Sequence, residues 1–130
     1  MTTGSNPKSE IQNPKSEDWS RPMVHWELQA KDPERMSAFY SAIFNWDITD
    51  GPLRQIGKGI GAPEDITGHI RQSETSRFVL YIQVLKLAES LAKVKELGGT
   101  VVREPFDPPA GPTLAWIDDP EGNRVVLVQQ

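Results

Sequence analysis

Twice along this chain a strand-like stretch runs into an amphipathic helix and then into short strands divided by turns. That repeated order limits the folds open to it more than any other feature. The first unit opens on Val24-His25-Trp26-Glu27-Leu28-Gln29-Ala30, where polar and apolar residues alternate. Alternation marks a half-buried strand, with His25, Glu27 and Gln29 on one face and Trp26, Leu28 and Ala30 on the other. Asp32-Pro33-Glu34 then starts a helix: an aspartate cap, a proline at the first helical position, an acid in the first turn. Met36, Phe39, Tyr40 and Ile43 follow at helical spacing and are expected to form its buried stripe, which ends at Asn45-Trp46-Asp47. Residues 49–68 hold five glycines and two prolines, so short strands and tight turns are expected there, followed by a strand over Gly68–Gln72.

The pattern then restarts. Phe78–Val84 is rich in branched and aromatic residues, as strands are. Leu87, Leu91 and Val94 mark a second helical stripe, closed by Gly98-Gly99. Further strands are expected from Thr100, over Thr113–Ile117 and over Arg124–Val128. Asp119-Pro120-Glu121-Gly122-Asn123 forms the hairpin turn between the last two. The reading is an α+β domain over residues 21–130, built from paired βαβββ modules of about 22–75 and 76–130. Set edge to edge, they form a curved mixed sheet, a cup with the helices outside. A concave sheet face lined with polar side chains is a natural small-molecule site.

Residues 1–20 differ. Met1, Ile11 and Trp19 are their only hydrophobic residues, and Asn-Pro-Lys-Ser-Glu occurs at 6–10 and again at 13–17. The seven-residue step lacks apolar a and d positions and each unit carries a proline, so a disordered tail is expected. The absence of cysteine rules out disulfides, thiolate metal sites and a cysteine nucleophile. A formal charge of −4 with scattered Lys and Arg argues against a nucleic-acid partner. No apolar run approaches the eighteen or so residues of a membrane span, and no secretory signal is visible; a cytoplasmic protein is expected.

Two motif matches fail on their physics. Gly57-Lys58-Gly59-Ile60-Gly61-Ala62 fits G-x-G-x-x-A, but Pro63 and Gly68 leave no helix there to receive a pyrophosphate. His25-x-Glu27 echoes the zinc-deaminase pattern, whose cysteines are missing.

His25-Trp26-Glu27-Leu28-Gln29-Ala30-Lys31-Asp32-Pro33-Glu34-Arg35, then Phe39-Tyr40 and Phe44-Asn45-Trp46, resemble the opening of the vicinal oxygen chelate superfamily. Glyoxalase I, bleomycin-resistance proteins and extradiol dioxygenases belong to that group. Leu97-Gly98-Gly99-Thr100 and Asp118-Asp119-Pro120-Glu121-Gly122-Asn123 resemble its second-half hallmarks. The resemblance implies a cup of two modules, often stabilised as a homodimer. In metal-dependent members one ligand comes from the first strand and one from the last strand of each module. On this sequence those positions fall on His25, Val79 and Val126, with the fourth near His69 but not aligned.

Valine binds no metal, and a catalytic divalent site takes at least three protein ligands. The expectation is therefore a metal-free binder of a small organic molecule, with no cofactor. The alternatives are a metal-dependent lyase or dioxygenase using His25 with Glu27 or His69, and a non-catalytic interaction module. His25 and Glu27, about 7 Å apart along one strand face, are the candidate acid–base pair. A structural role for Glu27, anchored by an arginine or by backbone amides, is the competing reading. Gln29, His69, Tyr81, Gln83, Trp116 and Arg124 are the candidate ligand-binding residues, Trp116 by stacking and Arg124 by bidentate pairing.

Overall fold

The computed structural model describes residues 20–57 and 66–130. The Asn-Pro-Lys-Ser-Glu repeat and most of the glycine motif at 57–62 lie outside them. Strand β1 (Met23–Ala30) leads into helix α1 (Pro33–Phe44), then β2 (Leu53–Ile56) and β3 (Thr67–Gln72). Strand β4 (Arg77–Val84), helix α2 (Leu87–Glu96), β5 (Thr100–Phe106), β6 (Leu114–Asp118) and β7 (Arg124–Gln129) complete the chain. One seven-stranded sheet runs β2-β3-β1-β4-β7-β6-β5. The opening strands of the two modules, β1 and β4, pair antiparallel at its centre, and each carries its module's last strand in parallel on the other side. The fold is the expected α+β cup of paired modules.

Local chemistry explains the elements. Asp32 accepts a hydrogen bond from the Arg35 amide across the first turn of α1, and Pro33 occupies the position that lacks an amide partner in any helix. At the other end Asn45 adopts the left-handed conformation (φ 56°) and its amide returns to the Ser41 carbonyl. Helix α2 ends at Gly98, which takes φ 93°, a conformation that a side chain would strain. Gly68 serves by size instead: it pairs with Trp26 across β1 and β3, and any Cβ there would collide with the indole.

Both helices cover one face. Leu28, Ala30, Ile56 and Ile70 pack with Trp26, Met36, Tyr40 and Trp46 beneath α1; Val84, Leu87, Leu91, Ala115, Ile117 and Leu127 pack beneath α2. The odd-numbered residues of β1 and β4 are thereby turned to the opposite, concave face.

Two expectations need correction. The stripe of α1 is only partly buried: Met36 and Tyr40 pack on the sheet and Ser37 is buried, but Phe39 and Ile43 are 56% and 59% exposed. Helical periodicity identifies an apolar stripe, and the tilt of the helix on the sheet decides how much of it is covered. Nor does the first module form three strands after its helix among the described residues. Its outermost strand is reduced to a single bridge, Ile48 to Ile56, with the Gly51-Pro52 turn lying between the two.

Candidate functional site

Four side chains from three neighbouring strands meet on the concave face. Within the parallel β1–β3 pair, Glu27 lies opposite His69, and β4 brings Tyr81 opposite His25. His25 Nε2 and His69 Nδ1 are 2.6 Å apart, and His69 Nε2 is 2.7 Å from Glu27 Oε1. Tyr81 donates to the same oxygen at 3.3 Å. Arg71, two residues beyond His69 on the same face of β3, closes a fork on the carboxylate: Nε to Oε1 at 2.8 Å and Nη2 to Oε2 at 3.0 Å. Gln29 adds a fifth hydrogen bond, Nε2 to Oε2 at 2.8 Å.

This network dictates protonation. Glu27 is 3% exposed, and burial alone would raise its pKa. Hydrogen bonds from His69, Arg71 and Gln29, with the charge of Arg71, outweigh burial and hold the carboxyl well below the usual carboxylate range. An ionised Glu27 only accepts, so His69 must present Nε2–H to it. With Nε2–H given to Glu27, His69 can accept at Nδ1 from His25 Nε2–H, and His25 Nδ1 in turn accepts from the Thr67 hydroxyl at 2.6 Å. The hydrogen bonds form one directed chain, Thr67 to His25 to His69 to Glu27. Burial, and next the proximity of His69, bring the pKa of His25 down to about 4, with the Glu27 charge opposing them only in part. Tyr81 is pushed up by burial and by the Glu27 charge, and stays a phenol.

The cluster forms the floor of a cavity of about 510 Å³. Val24, Leu53, Leu114, Trp116 and Val128 supply walls, and Phe106 with Pro108, Ala110 and Pro112 reach it from the far edge of the sheet. Thr113 donates to Asp107 across the base of the proline-rich segment.

The sequence-selected residues divide on this geometry. His25, Glu27, His69, Tyr81 and Trp116 line the cavity together. Gln29 shares the concave face but lies beside the cavity, its amide engaged by Glu27, Thr75 and Arg77. Gln83 has the right parity but sits at the end of β4, next to Ser20–Pro22. Arg124 is drawn aside by Asp118, Nε to Oδ1 at 2.5 Å, with its guanidinium 5.7 Å from the Trp116 ring centre. The sequence reading missed Arg71, Arg103 and Phe106. Arg71 had a signal, since it shares strand parity with His69, and Phe106 had one in its odd spacing from Val101; alternation misplaces Arg103, because the register of β5 shifts between Val101 and Arg103.

The register of the paired modules relates His69 to a residue of the second module. If His25 answers to Val79, then two residues on Glu27 answers to Tyr81. His69 lies opposite Glu27, and Val126 opposite Tyr81, so His69 and Val126 are equivalent. By that symmetry His25 and His69 correspond to Val79 and Val126, which are 0% and 2% exposed. The family model for the glyoxalase-like domain matches residues 23–128. The chain belongs to that family.

With it the chain falls within the vicinal oxygen chelate superfamily. No curated protein matches it. Among solved structures, a glyoxalase/bleomycin resistance protein/dioxygenase superfamily member from Vibrio splendidus is similar with a TM-score of 0.62 at 13% identity. The match covers 85% of this chain and 100% of that one. A hypothetical protein from Bacillus halodurans matches with a TM-score of 0.61 at 16% identity, over 86% and 96% of the two chains. The Mn(II)-bound glyoxalase of Novosphingobium aromaticivorans matches at 0.58 and 21% identity, over 84% of this chain but 38% of that one. At these identities the likeness is one of fold.

A divalent ion of the kind held by that glyoxalase finds a poor donor set here. His25 and His69 offer the two nitrogens that face each other, the valines offer nothing, and Glu27 lies across the His69 ring in the fork of Arg71. Two donors fall short of the three that a catalytic centre takes from its protein.

Proposed function

We propose that this glyoxalase-like domain binds a small organic molecule in its cup and does so without a catalytic divalent metal ion. The observation that carries the reading is the closed hydrogen-bond chain at the cavity floor: the donors and acceptors a metal would need are already engaged with one another. The reading also assigns roles. Glu27, ionised and saturated with five hydrogen bonds, is a weak base and acts as a positioning residue that orients His69 and, through it, His25. His25, neutral at pH 7, is the ring that a ligand would touch, with Tyr81 beside it and Trp116 as an aromatic wall. A rigid polar floor under apolar walls is the usual build of a pocket for a small ligand.

Metal titration is the test. Protein freed of metal with a chelator should bind less than one equivalent of zinc, nickel, manganese or ferrous ion in calorimetry. Ligands found by screening should bind equally with and without chelator. Stoichiometric uptake that disappears in His25→Ala would overturn the reading in favour of a metal-dependent lyase or dioxygenase.

A homodimer is part of the same proposal. Phe39, Ile43 and Phe44 on α1, with Phe78 on β4, are each more than half exposed, apolar side chains that a second copy of the chain would cover. Sedimentation at micromolar concentration should give twice the 14.5 kDa chain mass; a monomer there would remove the dimer from the proposal.

A further inference from the structure

We propose that the occupant of the cup is an organic anion, its carboxylate held by Arg103 and its flat apolar body lying against Phe106 and Trp116. The inference rests on the cup being the binding site and adds the charge and shape of what it takes.

Charge is the first observation. The cavity is lined by three charged side chains, Glu27, Arg71 and Arg103. Glu27 and Arg71 neutralise each other in a two-pronged ion pair. Arg103 is left over, so the lining carries an excess positive charge inside a chain whose formal charge is −4. Electrostatic complementarity within a cleft favours an anion there, and the acidic surroundings remove a generally basic surface as the explanation.

The second observation is how Arg103 is held. Three guanidinium groups surround the Trp116 ring, at 5.1 Å for Arg103, 5.7 Å for Arg124 and 5.8 Å for Arg71. Arg124 has Asp118 and Arg71 has Glu27. Among the described residues Arg103 has no carboxylate; its contacts are the two rings, with its central carbon 3.5 Å from the Phe106 ring centre. Stacking uses the face of a guanidinium and leaves the N–H groups in its plane available. Those groups form a fork that fits a carboxylate in two parallel hydrogen bonds. A cation fixed by aromatic faces, with its donors unused and a cavity before it, is a preorganised anion receptor.

The third is construction. Regular alternation along β5 from Val101, which packs beneath α2, would also turn Arg103 toward the helices. The register instead shifts between Val101 and Arg103, and again before Phe106, so Arg103 falls opposite Trp116 and Phe106 opposite Leu114. The first shift turns Arg103 to the concave face, and the second keeps Phe106 on that face beside it. Bulges that re-aim side chains this way gather beside binding sites.

The test uses three probes of one shape and different charge on the full chain: 1-naphthoate, 1-naphthamide and 1-naphthylmethylammonium, followed by calorimetry. Naphthoate should bind about tenfold more tightly than the amide, as expected for one charge-assisted fork, and the ammonium most weakly. Arg103→Met, on an exposed edge strand, should erase that preference, so that naphthoate and naphthamide bind alike. Arg103→Lys should restore it only in part, since lysine has charge without the fork. Equal binding of naphthoate and naphthamide, or a preference that survives Arg103→Met, overturns the anion receptor and leaves the cup-binding reading intact. Failure of all three probes to bind overturns both.

Discussion

Replacing Arg71 with leucine should destabilise the protein by about 3 kcal/mol, a fall of about 10 °C in Tm for a domain of this size. The pair it breaks is lopsided: the Glu27 side chain is 4% exposed and that of Arg71 35%. The carboxylate is the member that water cannot reach. Without the guanidinium it keeps hydrogen bonds from His69, Gln29 and Tyr81 but loses the only full positive charge among its partners. A buried charge left without its counterion is among the few single-site changes with an effect this large.

The partner substitution should be milder. Glu27→Gln removes the charge but keeps an acceptor for His69, and the part-exposed Arg71 can turn to solvent; about 1 kcal/mol is expected. In the double variant, losing Arg71 should add little, because no buried anion remains. The resulting coupling, on the order of 2 kcal/mol in a double-mutant cycle, measures the charge pairing itself. Chemical denaturation of the four proteins checks it. Should Arg71→Leu weaken the Glu27→Gln background as much as the wild type, the packing of Arg71 toward Trp116 would be the source instead. A loss under about 1 kcal/mol would class the pair with ordinary surface ion pairs.

The sequence revealed faces more readily than it revealed places. Alternation in β1 assigned His25, Glu27 and Gln29 to one side of a strand, and the restart of the pattern at Phe78 put Tyr81 and Gln83 on the matching side. The structure has all five on the concave face of the sheet. Parity carries no depth, however. Gln29 and Gln83 lie toward the ends of their strands and away from the cavity, while Arg124, also on the cup face, is pulled off by Asp118. The relation of His69 to Glu27 depends on the register of β3 against β1, and the glycine-rich residues between those strands hide it from spacing arguments. Arg103 required a broken rule: the first shift in β5 reverses the side that alternation assigns to it, and Pro105 marks the stretch as irregular without giving that side. Phe39 and Ile43 show the same limit on a helix. Their spacing was read correctly as an apolar stripe, yet what covers a stripe is set by tertiary packing.

Lowering the pH from 7 should weaken the fold in two successive stages, with a different residue governing each. His25 has a pKa near 4 in the folded chain against an ordinary 6.5. Between those values the unfolded chain binds more protons than the folded one, so stability falls as pH falls through that window. Its contribution is reduced by its partial exposure, and the decline should be gentle. Glu27 takes over below. Its folded pKa lies well under the ordinary carboxylate range, so the stability it contributes is complete above about pH 4.5 and is lost progressively in stronger acid. Glu27 is the more deeply buried of the two, at 3% exposed, which makes the lower stage the steeper. Asp119, whose pKa is lowered by hydrogen bonds from the Asn123 backbone and side chain, acts in the same direction there. Thermal unfolding across pH 7.5 to about 3 separates the stages by variant. His25→Gln should flatten the profile between pH 6.5 and 4.5 and leave the acid limb in place. Glu27→Gln should remove most of the acid limb. A wild-type profile that is level down to pH 4.5 would mean that the ring of His25 accepts a proton at no expense to the fold. The imidazole chain would then be loose enough to open, and the case against a bound metal ion would rest on the two valines alone.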